Sequence, residues 1–155
     1  SVTSRGMTGP QWVEHYKAKG VQLSKWATDV LLSPDFKPNN GVTTRVAVLK
    51  GILFKDNDRV TSKIRAEADE RKFTKPEAEL GCLIRDMFTN EEIRAMGLTL
   101  IVAFHEPIKD SVGYPDLLGA YCSGGGPWLS AYCVKPDDAW DSRGGFAFAV
   151  PQVSS

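Results

Sequence analysis

Two histidines and three cysteines bound the nucleophilic and metal chemistry open to this 155-residue chain. His105-Glu106 follows the apolar run Leu98 to Phe104, and the end of a buried strand is a frequent place for a general acid or base. The chemistry on offer is that of a small hydrolase or transferase, with Cys82 or Cys133 as nucleophile and a third group orienting the imidazole. Ordinary roles stand beside it. An imidazole and a carboxylate at a strand end are commonly solvated or capping, His15 lies in a charged amphipathic stretch, and Cys82 after Leu80-Gly81 reads as a small core residue. Without CxxC spacing or a short-spaced ligand pair to nucleate a site, no metal and no cofactor is expected. Gly124-Gly125-Gly126 lacks a following Lys-Ser/Thr and opens no helix, so it is a turn between strands rather than a phosphate cradle. Asp110-Ser111-Val112-Gly113 and Pro136-Asp137-Asp138 lack the alternating acidic oxygens and closing Glu of a calcium loop.

Composition narrows the partners. Nineteen basic residues balance nineteen acidic ones, which removes the overall positive field behind nonspecific nucleic-acid or anionic-membrane binding. A hydrophobic content of 42% without any run of about 18 apolar residues excludes a membrane-spanning helix. The odd cysteine count fits no disulfide framework, and the first ten residues carry no apolar core of a secretory signal. The expected location is the cytoplasm, with export by another route left open.

The elements that must position these residues divide the chain in two. Residues 1–110 hold 17 of the 19 Lys and Arg, whereas the last 45 hold seven of 14 Gly and three of four Tyr. Residues 1–8 read as a flexible N-terminus, and 9–155 as one domain made of a 9–110 scaffold and a 111–155 ligand-binding region. Helical spacing predicts helices from Gln11 to Gly20 and Gln22 to Leu32. Further helices are predicted over Asp58 to Arg71, on the stripe Val60, Ile64, Ala68, and from Lys75-Pro76 onward, with Leu80, Leu83, Ile84 and Met87 inward. Thr89-Asn90-Glu91-Glu92 has the form of a capping box opening a short helix that ends near Gly97. Alternation predicts a strand over Val42 to Phe54, and the run Leu98 to Phe104 a central strand buried on both faces. Beyond it, Gly and Pro punctuation leaves only Trp128 to Val134 and Phe146 to Val150 as strands, the latter with Phe on one face and Ala on the other. The fold class is α+β, with helices packed on a small mixed or antiparallel sheet and a long loop-rich C-terminal region.

Tyr, Ser, Gly and Asp dominate that region, the composition that paratopes use for area at low entropy cost and adaptable polar contact. The ordered series Trp128-Leu129-Ser130-Ala131-Tyr132-Cys133, Pro136-Asp137-Asp138-Ala139-Trp140 and Gly144-Gly145-Phe146-Ala147-Phe148 resembles the variable region of proteins diversified by diversity-generating retroelements. The chain also resembles proteins of uncultivated bacterial lineages that share the His-Glu-Pro-Ile-Lys-Asp-Ser segment. The resemblance implies a C-type-lectin-like fold of the formylglycine-generating-enzyme type and a non-enzymatic protein that binds a variable protein or other macromolecular ligand. It further implies variable positions at Tyr121, Cys122, Ser123, Tyr132, Cys133, Asp138, Asp141, Ser142 and Gly144. Tyr114, Gly125, Val134, Lys135, Ala139 and Arg143 form a second tier, and Trp128, Leu129, Ala131, Pro136, Trp140, Phe146 and Phe148 the framework. A third reading is a homo-oligomeric structural module that buries Trp128, Trp140 and neighbouring tyrosines.

Overall fold

A computed structural model describes residues 1–151; positions 152–155, the end of the expected domain and of its ligand-binding region, lie outside the described residues. Helix α1, Gly9–Lys19, starts at a capping box in which Thr8 accepts from the Gln11 N–H while the Gln11 side chain returns to the Thr8 N–H. It stops at Gly20, whose φ of 74° lies in the left-handed region. Helix α2, Lys25–Leu32, is capped by Ser24. Helices α3, Thr61–Glu70, α4, Glu79–Met87, and α5, Asn90–Ala95, follow, the last with the Thr89–Glu92 capping box in place. The strands are β1 Val2–Arg5, β2 Gln22–Leu23, β3 Asn40–Lys50, β4 Leu100–Ala103, β5 Ile108–Lys109, β6 Pro115–Ser123, β7 Gly126–Cys133 and β8 Gly144–Val150. None of the helices among the described residues is long and apolar enough to cross a membrane.

These strands form one mixed sheet in the order β1-β3-β8-β4-β6-β7-β2, with β5 on the margin of β6. The β4–β8 and β2–β7 pairs are parallel and the rest antiparallel. Register assigns the faces, because directly opposed residues share one. Val46, Val48, Ile101, Ala103, Leu118, Ala120, Leu129 and Ala147 face the layer built by α1, α2, α4 and α5, around fully buried Trp12 and Tyr16. Leu49, Val102, Phe104, Leu117, Phe146 and Phe148 face the other way, against Ile64 and Ala68 of α3. The Phe/Ala alternation of β8 therefore sorts large rings to one side and small methyls to the side where helices approach closely.

Several expectations are corrected. Residues 2–5 are not a loose N-terminus: they pair with β3, and Val2 is buried. Gln22 and Leu23 pair with Trp128 and Leu129, so the second helix begins only at Lys25. The strand from Asn40 ends at Lys50 because a 3₁₀ turn over Gly51–Leu53 packs Gly51 against the Asp141, Ser142 and Gly144 carbonyls, 2.8–3.0 Å from where a Cβ would stand. Pro76 precedes α4 rather than opening it, and Met87 is 44% exposed. The largest correction concerns the C-terminal region, which is mostly sheet: Pro115–Ser123 forms a nine-residue strand at the centre of the hairpin half. Its signal was the apolar run Leu117 to Tyr121 between turn formers, the pattern of a strand buried on both faces.

Helix α4 lies directly on β6 at Gly81, where an added Cβ would stand 2.7 Å from Leu118 Cβ. An alanine gains up to about 1 kcal/mol of helix propensity, while overpacking costs about 1–3 kcal/mol. Gly81→Ala is expected to lower stability by about 1–2 kcal/mol in urea denaturation; a stabilised variant would show that α4 can lift off the sheet.

Candidate functional site

His105 lies just beyond β4 and is 1% exposed. The Leu118 N–H donates to its Nε2 at 3.0 Å, so Nδ1 carries the proton and donates to the Glu106 carbonyl oxygen at 2.7 Å. The imidazole supplies the acceptor that β4 would have offered had its ladder with β6 continued past Val102–Gly119. Burial pushes its pKa down to about 4, with the Arg65 charge adding to the effect, and both ring nitrogens are committed to backbone. The Glu106 carboxylate turns outward to Lys75 Nζ at 2.7 Å, which holds it below the ordinary carboxylate range. The candidate acid–base pair is thus not assembled, and the imidazole takes the structural role that stood beside it. Cys82 is fully buried and its thiol is pushed up by burial; Cys133 is exposed, and burial and then Asp138 push its thiol up as well. His15 pairs with Asp86, which also binds Arg5 and Lys19. Among the described residues no group of three or more His, Cys, Asp or Glu is placed to hold a metal ion.

Apart from half-buried Tyr132, the positions expected to vary separate into two patches and a buried remainder. At one end of the hairpin, Tyr114, Cys133 and Lys135 are exposed and Asp138 half-buried, with Lys135 Nζ 5.7 Å from the Tyr114 ring centre and Asp138 Oδ2 accepting the Lys135 N–H at 2.8 Å. At the other end lie Tyr121, Ser123 and Gly125. Asp141, Ser142 and Arg143 adjoin them because Leu100 pairs with Tyr121 on one side and Gly144 on the other. Five residues of β6 separate the ends, roughly 17 Å of strand. Cys122, Val134 and Gly144 are buried and belong to neither patch. Cys122 faces the helices beside the Asn90 carbonyl, and the Val134 N–H closes the ladder on the Pro115 carbonyl at 2.8 Å.

Alternation gives the two Tyr-Cys pairs opposite outlooks. Tyr121 and Tyr132 share a face with Leu100, Gly119, Trp128 and Ser130, while Cys122 and Cys133 take the other. Helix α3 and the phenylalanine cluster cover the β3, β8 and β4 part of that face and reach β6 only at fully buried Leu117. Trp140 forms the boundary: its Nε1 donates to Thr61 Oγ1 at 2.9 Å and its ring lies 5.6 and 5.7 Å from Phe104 and Phe146, but also 6.1 Å from Tyr132. Past Trp140 no element among the described residues covers this face of the sheet. Leu100, Trp128, Ser130 and Tyr132 are half-buried, and Tyr121 is 40% exposed. Gly119 makes this shelf flat, since a Cβ there would lie 2.9 Å from Tyr132 Cε2. Burial pushes the Tyr132 hydroxyl up to about 12. Sequence reasoning placed Tyr121 and Tyr132 here but assigned Trp128 to the framework and missed Gly119; the parity of β6 against β7 was the signal that would have joined them.

One titrating pair escaped the sequence altogether. Asp116, 2% exposed, has no donor at Oδ2, and burial followed by the neighbouring Asp110 pushes its pKa up to about 7, with Asp29 adding further like charge. Against its own burial, Asp110 is held below the carboxylate range by hydrogen bonds from Asp116 and from the Tyr114, Val112 and Gly113 N–H groups. The folded state therefore keeps a proton on Asp116 that the unfolded chain sheds above about 3.8, and this contribution to stability is lost as pH rises from there to about 7. His105 acts in the opposite direction: the unfolded chain takes up a proton below about 6.5 that the folded one refuses until about 4, so stability falls on acidification through that window. Relative to the parent, Asp116→Asn is expected to gain stability steadily between pH 4 and 7 in urea titrations. His105→Gln should lose less on acidification than the parent, by on the order of 3 kcal/mol. Profiles parallel to the parent's would refute both assignments. No family model, no curated protein and no solved structure matches the chain.

Proposed function

We propose that the protein is a non-enzymatic binding protein that seats its ligand on the uncovered β4–β6–β7 face. The observation that supports this reading most is the shelf itself: Tyr121, Trp128 and Tyr132 share one face of the β6–β7 hairpin, opposite the face that the helices cover. Amphipathic aromatics on rigid strands give contact area without the entropy cost of ordering a loop. The committed His105 nitrogens add support from the other side, because they leave the strand end without a free base.

Retroelement diversification belongs to this proposal and rests on the residue series of the C-terminal region, as does the C-type-lectin-like reading of that region. In this reading the diversified positions are Tyr114, Tyr121, Ser123, Gly125, Tyr132, Cys133, Lys135, Asp138, Asp141, Ser142 and Arg143. Cys122, Val134 and Gly144 are excluded from the set because each fills a packed position.

The test pairs a binding readout with a stability readout. On arrays of glycans and peptides the parent is expected to capture at least one class of probe, and Tyr121→Ala combined with Trp128→Ala to reduce that capture by at least about tenfold, as hot-spot aromatics do. Tyr121→Ala alone should leave folding stability within about 0.5 kcal/mol. Unchanged capture by the double variant would remove the shelf from the binding surface. Sequencing of the gene across a natural population supplies the second arm: changes concentrated at the exposed positions, with Trp140, Phe146 and Phe148 fixed, are expected, and uniform variation would overturn diversification.

A further inference from the structure

On the helix-covered face, α4, α5 and the tip of the β6–β7 hairpin enclose a groove of about 460 Å³ that Arg85 lines from within. Arg85 is 4% exposed. Its Nη1 donates to the Tyr121 and Trp128 carbonyls at 3.1 and 3.3 Å, and its Nη2 to the Phe88 carbonyl and Asn90 Oδ1 at 3.0 Å each. All four acceptors are uncharged, and Nε is buried with no hydrogen-bond partner. Arg94 lines the same groove and donates to the Ser123 carbonyl at 3.3 Å. Among the described residues neither guanidinium has a carboxylate within salt-bridge distance. Asp86, the carboxylate beside Arg85 in the lining, is already bound by Arg5, His15 and Lys19. A desolvated cation without a counter-charge is costly, and protein dipoles offset only part of that cost.

We propose that this groove binds a small organic phosphate, its oxyanion between Arg85 and Arg94 and its organic part against Val21, Phe88 and Pro127. Two guanidiniums match the charge of a phosphate dianion: Arg85, whose Nη hydrogens are all spent on its four acceptors, supplies charge, and Arg94, with a single bond to the Ser123 carbonyl, supplies the planar fork that meets the oxygens. The apolar lining and the volume of the groove both call for more than a bare ion. Glu91, which also lines the groove, is the carboxylate that opposes such a ligand. The inference does not depend on the aromatic shelf, which lies on the opposite face.

Calorimetric titration of the full chain at low ionic strength tests it, with phenyl phosphate, inorganic phosphate and benzoate as probes. Phenyl phosphate is expected to bind saturably, about tenfold tighter than inorganic phosphate and than benzoate. Arg94→Ala should weaken it by at least about tenfold at unchanged melting temperature. Glu91→Gln should tighten it a few-fold, a result that a purely structural Glu91 would not give. Absence of saturable phosphate binding in the millimolar range, or equal affinity of parent and Arg94→Ala, would overturn the site. Equal affinities for phenyl phosphate and inorganic phosphate would overturn the organic-ligand assignment, and benzoate binding as tightly would overturn the preference for phosphate.

Discussion

A sheet with apolar residues on both faces needs a layer on each, and this chain has helices enough for one and a half. Four helices cover the face that carries Ile101, Leu118, Ala120, Leu129 and Ala147. On the other face α3 stands alone, and its Ile64 and Ala68 reach only the cluster around Phe104, Phe146 and Phe148. The choice of side chains follows that shortfall. Phenylalanines fill the covered part, while Tyr121, Trp128 and Tyr132, each apolar with a polar handle, occupy the part that meets water. Trp140 lies where one regime passes into the other, anchored to α3 through Thr61. What makes the shelf a candidate binding surface is therefore the same shortage that leaves it open.

Much of the scaffold was legible along the chain. The Thr8 and Thr89 caps, the Gly20 stop, the Ile64–Ala68 stripe and the two-sided burial of Leu100–Ala103 are local signals, and each became the element that it announced. The failures share a cause. β1 and β2 take their identity from partners far away in sequence, and in β6 Gly119 or Pro115 reads as a loop former until its neighbouring strand is known. The candidate site was half legible for the same reason. Residue type pointed to Tyr121 and Tyr132, but only the register shows that Trp128 joins them, that Cys122 and Cys133 do not, and that Tyr114 and Lys135 lie at the far end of the hairpin.

Buried polar groups carry a different kind of information. His105, Arg85 and Asp116 are each almost wholly enclosed, and composition singles out none of them as a group. His105 completes the β4–β6 ladder through its ring, and Arg85 ties α4 and α5 to the carbonyls of the hairpin. Each satisfies backbone that the strand pattern alone leaves open. Asp116 is the exception, held among like charges and neutral at the cost of a raised pKa.

The last described strand in the chain sits in the middle of the sheet. β8 separates β3 from β4, and its partners in β3 precede it by about a hundred residues, Ala47 lying opposite Phe148. During synthesis from the N-terminus, β3 and β4 must both wait with open edges while β6 and β7 already zip together as a local hairpin. The nascent protein is then two unjoined half-sheets, and the strand richest in phenylalanine is the one that closes them. A ribosome that pauses shortly before Gly144 leaves the chain with its aromatic core unfilled and two adhesive strand edges exposed, the state most prone to pairing with another copy.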